Sequence, residues 1–220
     1  MAKTTAAASN GLDCRNKDGM IRSYTGKRLL DLLAVIAALP FLSVLIAGLA
    51  ALVALDGANP FFVQRRLGRD GRIFRMIKLR TMVPDAERRL EEYLAANPEA
   101  KREWEQFQKL SHDPRITRIG RLLRQTSLDE LPQFLNVLFG HMSLVGPRPM
   151  MPDQAELYPG KAYYRMRPGI TGPWQVSDRN SVSFAERARY DLSYFEAQSF
   201  LSDLRYIVLT MLTVCRMSGR

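Results

Sequence analysis

Cysteine and histidine are scarce in this 220-residue chain, with only Cys14, Cys215, His112 and His141. The cysteines stand near opposite ends. They form no CxxC, no disulfide framework and no metal-ligand spacing, so a reducing cytosolic face is the default. Two isolated histidines exclude a zinc cluster of the usual kind. Acids are also in short supply: 22 Asp and Glu against 32 Lys and Arg leave a net charge of +10. Such an excess calls for an anionic partner, whether nucleic acid, an acidic membrane surface or a phosphorylated substrate. The length suits about one domain with a real core. At 46% hydrophobic and 25% charged residues, the chain as a whole is not disordered.

One long apolar run is present, Leu29 to Leu55, and its only charge is Asp31. It starts too late and runs too long for a signal peptide, and residues 1–23 read as a loose cytosolic tail. About 20 apolar residues suffice to cross a bilayer. Arg22, Lys27 and Arg28 precede the run, and Arg65, Arg66, Arg69, Arg72, Arg75, Lys78 and Arg80 follow it. The positive-inside rule puts both flanks on the cytosolic side, which a single straight span cannot satisfy. A helix that breaks at Pro40 and returns to the same face can. Residues 24–56 are therefore expected to form a re-entrant membrane hairpin, in preference to a bitopic span or a buried core helix.

Asp56-Gly57-Ala58-Asn59-Pro60 signals a turn. Phe61–Val63 and Arg72–Met82 read as short strands joined at Gly68–Gly71. Lys78 shares a strand face with Arg80. That face reads equally as a patch against lipid headgroups or as a phosphate site. Residues 84–110 alternate acids and bases around sparse Leu90, Leu94, Trp104, Phe107 and Leu110, with a break at Asn97-Pro98. They predict two solvated helices without a catalytic residue. In 115–124, Ile116, Ile119, Leu122 and Leu123 oppose Arg115, Arg118, Arg121 and Arg124, the pattern of a cationic helix on a membrane surface.

The densest chemistry lies in Arg124-Gln-Thr-Ser-Leu-Asp129-Glu130-Leu-Pro-Gln133, followed by Gly146-Pro-Arg148-Pro149. Adjacent carboxylates in a basic protein suggest a nucleophile or base beside a metal ligand, with cations to hold phosphate. The plainer reading is a helix start whose acids complement its dipole. Ser127-x-x-Glu130 fits a capping box, whereas Pro132 favours a helix start at Asp129. Phe134, Leu135 and Leu138 continue that helix and Gly140 ends it. His141 reads as a structural loop residue. Further on, Arg165-Met-Arg167-Pro-Gly169-Ile-Thr-Gly172-Pro-Trp174-Gln175 and Arg179-Asn180 set turn formers beside cations. Residues 184–198 and 200–215 predict amphipathic helices, the second lying in a membrane interface, with Cys215 as a small hydrophobe.

Several of these motifs, in this order, resemble the bacterial sugar transferase family. They are Lys27-Arg28-x-x-Asp31 with the apolar hairpin, Lys78-Leu-Arg80-Thr-Met82, Thr126-Ser-Leu-Asp129-Glu130-Leu-Pro-Gln, Ser143-Leu-Val-Gly-Pro-Arg148-Pro, Pro168-Gly-Ile-Thr-Gly172 and Arg179-Asn180. The resemblance covers about residues 22–217. It implies a monotopic enzyme moving hexose-1-phosphate from a nucleotide sugar to undecaprenyl phosphate. Asp129 would attack the sugar-bearing phosphate, Glu130 would help hold Mg²⁺, and Lys78, Arg124, Arg148 and Arg179 would bind phosphates. The length and Gly172-Pro-Trp174-Gln look most like members that prime exopolysaccharide with galactose, glucose being second. A homodimer is compatible with the family. Many relatives carry Ser-Pro at the hairpin break, where Leu39 precedes Pro40 here.

The expected fold is thus α-rich α+β. It comprises the tail (1–23), the membrane-embedded hairpin (24–56) and a small membrane-associated catalytic domain with interfacial amphipathic helices (57–220), at the cytosolic face of the bacterial inner membrane. A nucleic-acid binder would explain the net charge but neither Leu29–Leu55 nor the paired acids, so no nucleic-acid partner is expected. A non-catalytic membrane scaffold would leave Asp129-Glu130 idle.

Overall fold

A computed structural model describes residues 24–107, 110–177 and 184–215. Helix α1 (Lys27–Val53) carries the apolar run and is long and apolar enough to cross a membrane. A short 3-10 turn leads from it into a β-hairpin, β1 (Phe61–Leu67) and β2 (Ile73–Leu79). The strands pair antiparallel, with Phe62 opposite Lys78 and Arg65 opposite Arg75. Helices α2 (Ala86–Ala96) and α3 (Pro98–Phe107) form an arm that breaks at Asn97-Pro98, as the sequence predicts. Then come α4 (Arg118–Thr126) and α5 (Gln133–Leu138). A parallel pair, β3 (Ser143–Val145) and β4 (Gly169–Thr171), precedes the short α6 (Pro173–Val176). Helices α7 (Arg187–Ala197) and α8 (Phe200–Cys215) are the last of the described elements. The fold is helix-rich with small sheets. Helix α1 is continuous through Pro40, where the sequence leads one to expect a break.

Polar anchors hold both ends of α1 on the same domain. Arg28 donates to the carbonyls of Val137 and Leu138 at 2.7 and 3.1 Å, capping α5 with a cation at its negative end. Lys27 pairs with Asp203 of α8 at 2.5 Å. Asp31, the lone charge in the apolar run, is buried and accepts hydrogen bonds from the Ser143 hydroxyl and the Leu144 amide. At the other end, Ala50 and Val53 pack against Leu79 and Leu123. Arg80 donates to the Val53 carbonyl and pairs with Asp56 at 2.6 Å. Between the anchors, Ile36, Phe41 and Val44 are exposed, the last two to 74%. Burying such side chains is favourable at about 25 cal/mol per Å², so this stretch calls for an apolar environment. The Ser43 hydroxyl donates to the Pro40 carbonyl at 2.9 Å. That back-bond sits beside the proline and favours a bend.

The core is assembled from small clusters. Val35 enters one with Phe74, Met76, Val137 and Met142, where His141 stacks on Phe74 in a structural role. Asn136 straps β2 to α5: its side chain accepts from the Ile77 amide at 3.0 Å and donates to the Arg75 carbonyl at 2.7 Å. On α4 the cationic face is exposed at Arg118 and Arg121 beside an exposed Leu122, while Leu123 is buried. Leu201, Leu204, Val208 and Met211 are exposed along α8.

One buried acid makes stability pH-dependent. Burial pushes the Asp191 carboxyl up from 3.8 to about 6, with the Tyr158 hydroxyl and then Arg187 opposing. The folded protein therefore retains a proton there that the unfolded chain has lost. The stability from that proton is fully present below pH 3.8 and is lost as pH rises through about 6. The melting temperature of Asp191→Asn relative to the parent is expected to climb between about pH 4 and about pH 7. A pH-independent difference would remove Asp191 as the source.

Candidate active site

A cleft of 940 Å³ opens between β2, the foot of the α2–α3 arm, the end of α4 and the loop after β3. Five of the six candidate side chains line it: Lys78, Arg124, Asp129, Glu130 and Arg148. Arg179 lies outside the described residues.

The local conformation of the acidic pair differs from both sequence expectations. Ser127 does not cap a new helix. It closes α4 in the left-handed region at φ 56, and its side chain makes no cap. Leu128–Glu130 then forms a 3-10 turn, and α5 begins only at Gln133, after Pro132. Pro132 has no amide hydrogen to contribute, so it is better placed before the helix than within it. The carboxylates therefore sit in a tight turn ahead of α5 rather than in its first turn.

Lys78 faces both acids. Its Nζ lies 2.7 Å from Glu130 Oε1 and 3.9 Å from Asp129 Oδ2. Glu130 is thus bound directly by the lysine, whereas Asp129 feels it across a longer gap. Arg148 Nη2 lies 4.0 Å from Glu130 Oε1. Arg124 donates through Nε to the Thr81 hydroxyl at 2.9 Å. Asp129 is only 9% exposed. Burial raises its pKa above the usual aspartate value, Lys78 opposes this, the Glu130 charge adds to it, and Arg124 opposes it again. A buried carboxylate surrounded by cations is poorly hydrated, which suits a nucleophile.

Close packing sets these positions. Gly120 brings α4 against β2's extension: a Cβ there would lie 2.0 Å from the Thr81 carbonyl oxygen. That approach lets Arg124 reach Thr81. The Thr117 hydroxyl caps α4 by accepting from the Gly120 amide. Arg148 is steadied from behind, its guanidinium 5.7 Å from the Trp174 ring and its carbonyl accepting from Arg187. Arg187 stacks on the same ring at 4.8 Å.

Thr81, Gly120, Asn136, Trp174 and Arg187 are supporting residues that the motif reading did not single out for these tasks. Asn136 carried a signal, as a single amide inside Phe134–Leu138. Gly120 carried another, as a glycine inside an arginine-rich helix. Thr81 carried none beyond its neighbours.

Among the described residues no three His, Cys, Asp or Glu side chains converge on a point. A magnesium ion does not need three, because it binds through one or two carboxylates and takes substrate phosphates and water for the rest. Glu130, on the wall of the cleft beside the phosphate-binding candidates, fits that donor set.

The model of the family described as bacterial sugar transferase matches residues 22–217. The chain is similar to the exopolysaccharide production protein ExoY of Sinorhizobium fredii. The two are 43% identical over 224 residues, covering 100% of this chain and 99% of that protein. It is also 43% identical over 195 residues to the UDP-galactose-lipid carrier transferase of Erwinia amylovora, covering 88% of this chain and 41% of that one. The undecaprenyl-phosphate galactose phosphotransferase of Salmonella typhimurium matches with the same identity and coverage. A family match across nearly the whole chain and a full-length relative agree: this chain belongs to the bacterial sugar transferase family.

Proposed function

We propose that this protein moves hexose-1-phosphate from a UDP-sugar, galactose first, to undecaprenyl phosphate at the cytosolic face of the bacterial inner membrane, priming exopolysaccharide synthesis. One Asp129 carboxylate oxygen attacks the sugar-bearing phosphorus. The bond from that phosphorus to the bridging oxygen breaks, and UMP leaves with the electron pair. The phosphosugar remains on Asp129 as an acyl phosphate. An oxygen of undecaprenyl phosphate then attacks the same phosphorus and releases the carboxylate. Lys78, Arg124 and Arg148, with Arg179, hold phosphate oxygens and offset the charge that builds at phosphorus. Glu130 would help hold Mg²⁺, which would supply Lewis-acid polarisation of the phosphates when bound.

The observation that carries this reading is the setting of Asp129: buried, with Lys78 Nζ at 3.9 Å and so beyond hydrogen-bond distance, and on the wall of a cleft shared with Lys78, Arg124 and Arg148. The names of the two relatives, each of which mentions galactose, support the choice of sugar. The test is UMP release by detergent-purified protein with Mg²⁺, undecaprenyl phosphate and UDP-galactose, UDP-glucose or a UDP-N-acetylhexosamine. Release from one donor fixes reaction and sugar together. Silence with every donor from folded protein would sink the proposal.

The same proposal places α1 in the membrane as a re-entrant element. Its support is that one domain grips both ends, through Arg28 at the start and Arg80 at the finish. A bitopic span would separate those ends by a hydrocarbon core of about 30 Å. Cysteines introduced by Thr25→Cys and Ala58→Cys, with Cys14 and Cys215 removed, are expected to react from the same side of sealed inner-membrane vesicles. Opposite accessibility would overturn the hairpin.

A further inference from the structure

The cleft is longer than the acid-cation cluster requires, and its far wall is the α2–α3 arm that the sequence marks as solvated and idle. Its lining runs from Asp129 past Thr81 and Val83 to Trp104 and Arg115. The foot of the arm is rigidly attached there. Met82 bridges Ile116, Val83 donates its amide to the Arg115 carbonyl, and Thr117 donates its amide to the Thr81 carbonyl. Arg115 is locked by a bidentate pair with Asp113, at 2.8 and 2.6 Å. Its guanidinium lies 5.1 Å from the centroid of the Trp104 ring. An indole backed by a fixed guanidinium on the wall of a polar cleft is a stacking platform for a planar ring.

Its placement relative to the cations defines what could bind across both. Arg124 donates its Nε to the Thr81 hydroxyl, the Arg115 carbonyl accepts from the Val83 amide, and Arg124, Arg115 and Trp104 all line the same cleft. Phosphate on the arginine side and a flat ring on the tryptophan side is the shape of a nucleotide.

Resting on the function proposed above, we infer that Trp104, backed by Arg115, forms the base subsite of the donor: the α2–α3 arm stacks the pyrimidine of the departing nucleotide while the acid-cation cluster holds its phosphates. The arm is then part of donor recognition. Trp104 acts on binding and leaves the reacting atoms to Asp129.

The experiment measures the affinity of UMP and of ribose 5-phosphate for the full-length protein in detergent, for the parent, Trp104→Ala and Trp104→Phe. Trp104→Ala is expected to weaken UMP about 10-fold, on the scale of one base stacked on an aromatic ring. It should leave ribose 5-phosphate within about 2-fold, since that probe carries no base. Trp104→Phe should keep most of the UMP affinity. In turnover, Trp104→Ala should raise KM for the UDP-sugar by a similar factor with kcat little changed. Equal UMP affinity in parent and Trp104→Ala would overturn the inference. So would equal loss of both probes, which would make Trp104 a general structural wall. Failure of the enzymatic proposal reads differently: the parent would bind UMP with the same Trp104 dependence yet release none from any donor.

Discussion

Replacing Asp129 by asparagine is expected to abolish UMP release, by at least about 10³-fold, because the amide is no longer a nucleophile towards phosphorus. The cations and the cleft would remain, so donor binding should survive. Two further readouts separate chemistry from damage. Intact-mass measurement of the parent with UDP-galactose, without lipid acceptor, should show a fraction of protein heavier by one hexose phosphate. The variant should show none. The melting temperature of the variant should not fall and is expected to rise, because burial and Glu130 hold the Asp129 pKa above its ordinary 3.8. A raised acid pKa means that the fold disfavours the charged form relative to the unfolded chain, and asparagine removes that charge. Loss of activity with a lower melting temperature would instead mark Asp129 as a structural residue. For the same reason, the acid limb of donor turnover should lie above that of an unperturbed aspartate.

Asn136→Leu is expected to have the largest effect on stability. Asn136 is 1% exposed and satisfies one amide and one carbonyl of β2 while standing in α5. Leucine is close in size, so the packing is largely kept and the change isolates the hydrogen bonds. Each backbone group left buried without a partner costs about 1–3 kcal/mol. Two such groups come to roughly 2–6 kcal/mol, or a fall in melting temperature of order 10 °C for a chain of this size. Because β2 carries Lys78 and α5 follows Asp129-Glu130, activity measured well below the new melting point should also drop. A melting temperature unchanged within about 2 °C would show that this strap contributes little.

Much of the local structure was legible from local signals. The apolar run Leu29–Leu55 emerges as α1, the Gly68–Gly71 turn joins β1 and β2, and the break at Asn97-Pro98 divides the arm. These features depend on hydropathy period and on proline and glycine chemistry, which act over a few residues. The turn holding Asp129 is not legible locally, because two local rules compete. Ser127-x-x-Glu130 favoured a capping box and Pro132 favoured a helix start. The outcome was a left-handed Ser127 and a 3-10 turn, under contacts from Lys78 that lies 52 residues away from Glu130.

By itself the sequence determined the membrane-scale apolar segment, the excess of cations and the identity of the acidic pair, because these are properties of composition and short spacing. Its motif order also pointed to the family that the comparisons establish. Only the tertiary structure decided which cations meet those acids, and how closely. Lys78 contacts Glu130 directly and Asp129 at a distance, Arg80 turns away to hold Asp56 and Val53, and Arg124 reaches Thr81 because Gly120 lets α4 approach. It also turned the α2–α3 arm from an apparent solvated insertion into a wall of the cleft. Such outcomes depend on backbone approach and burial between segments distant in the chain, and no window of neighbouring residues encodes them.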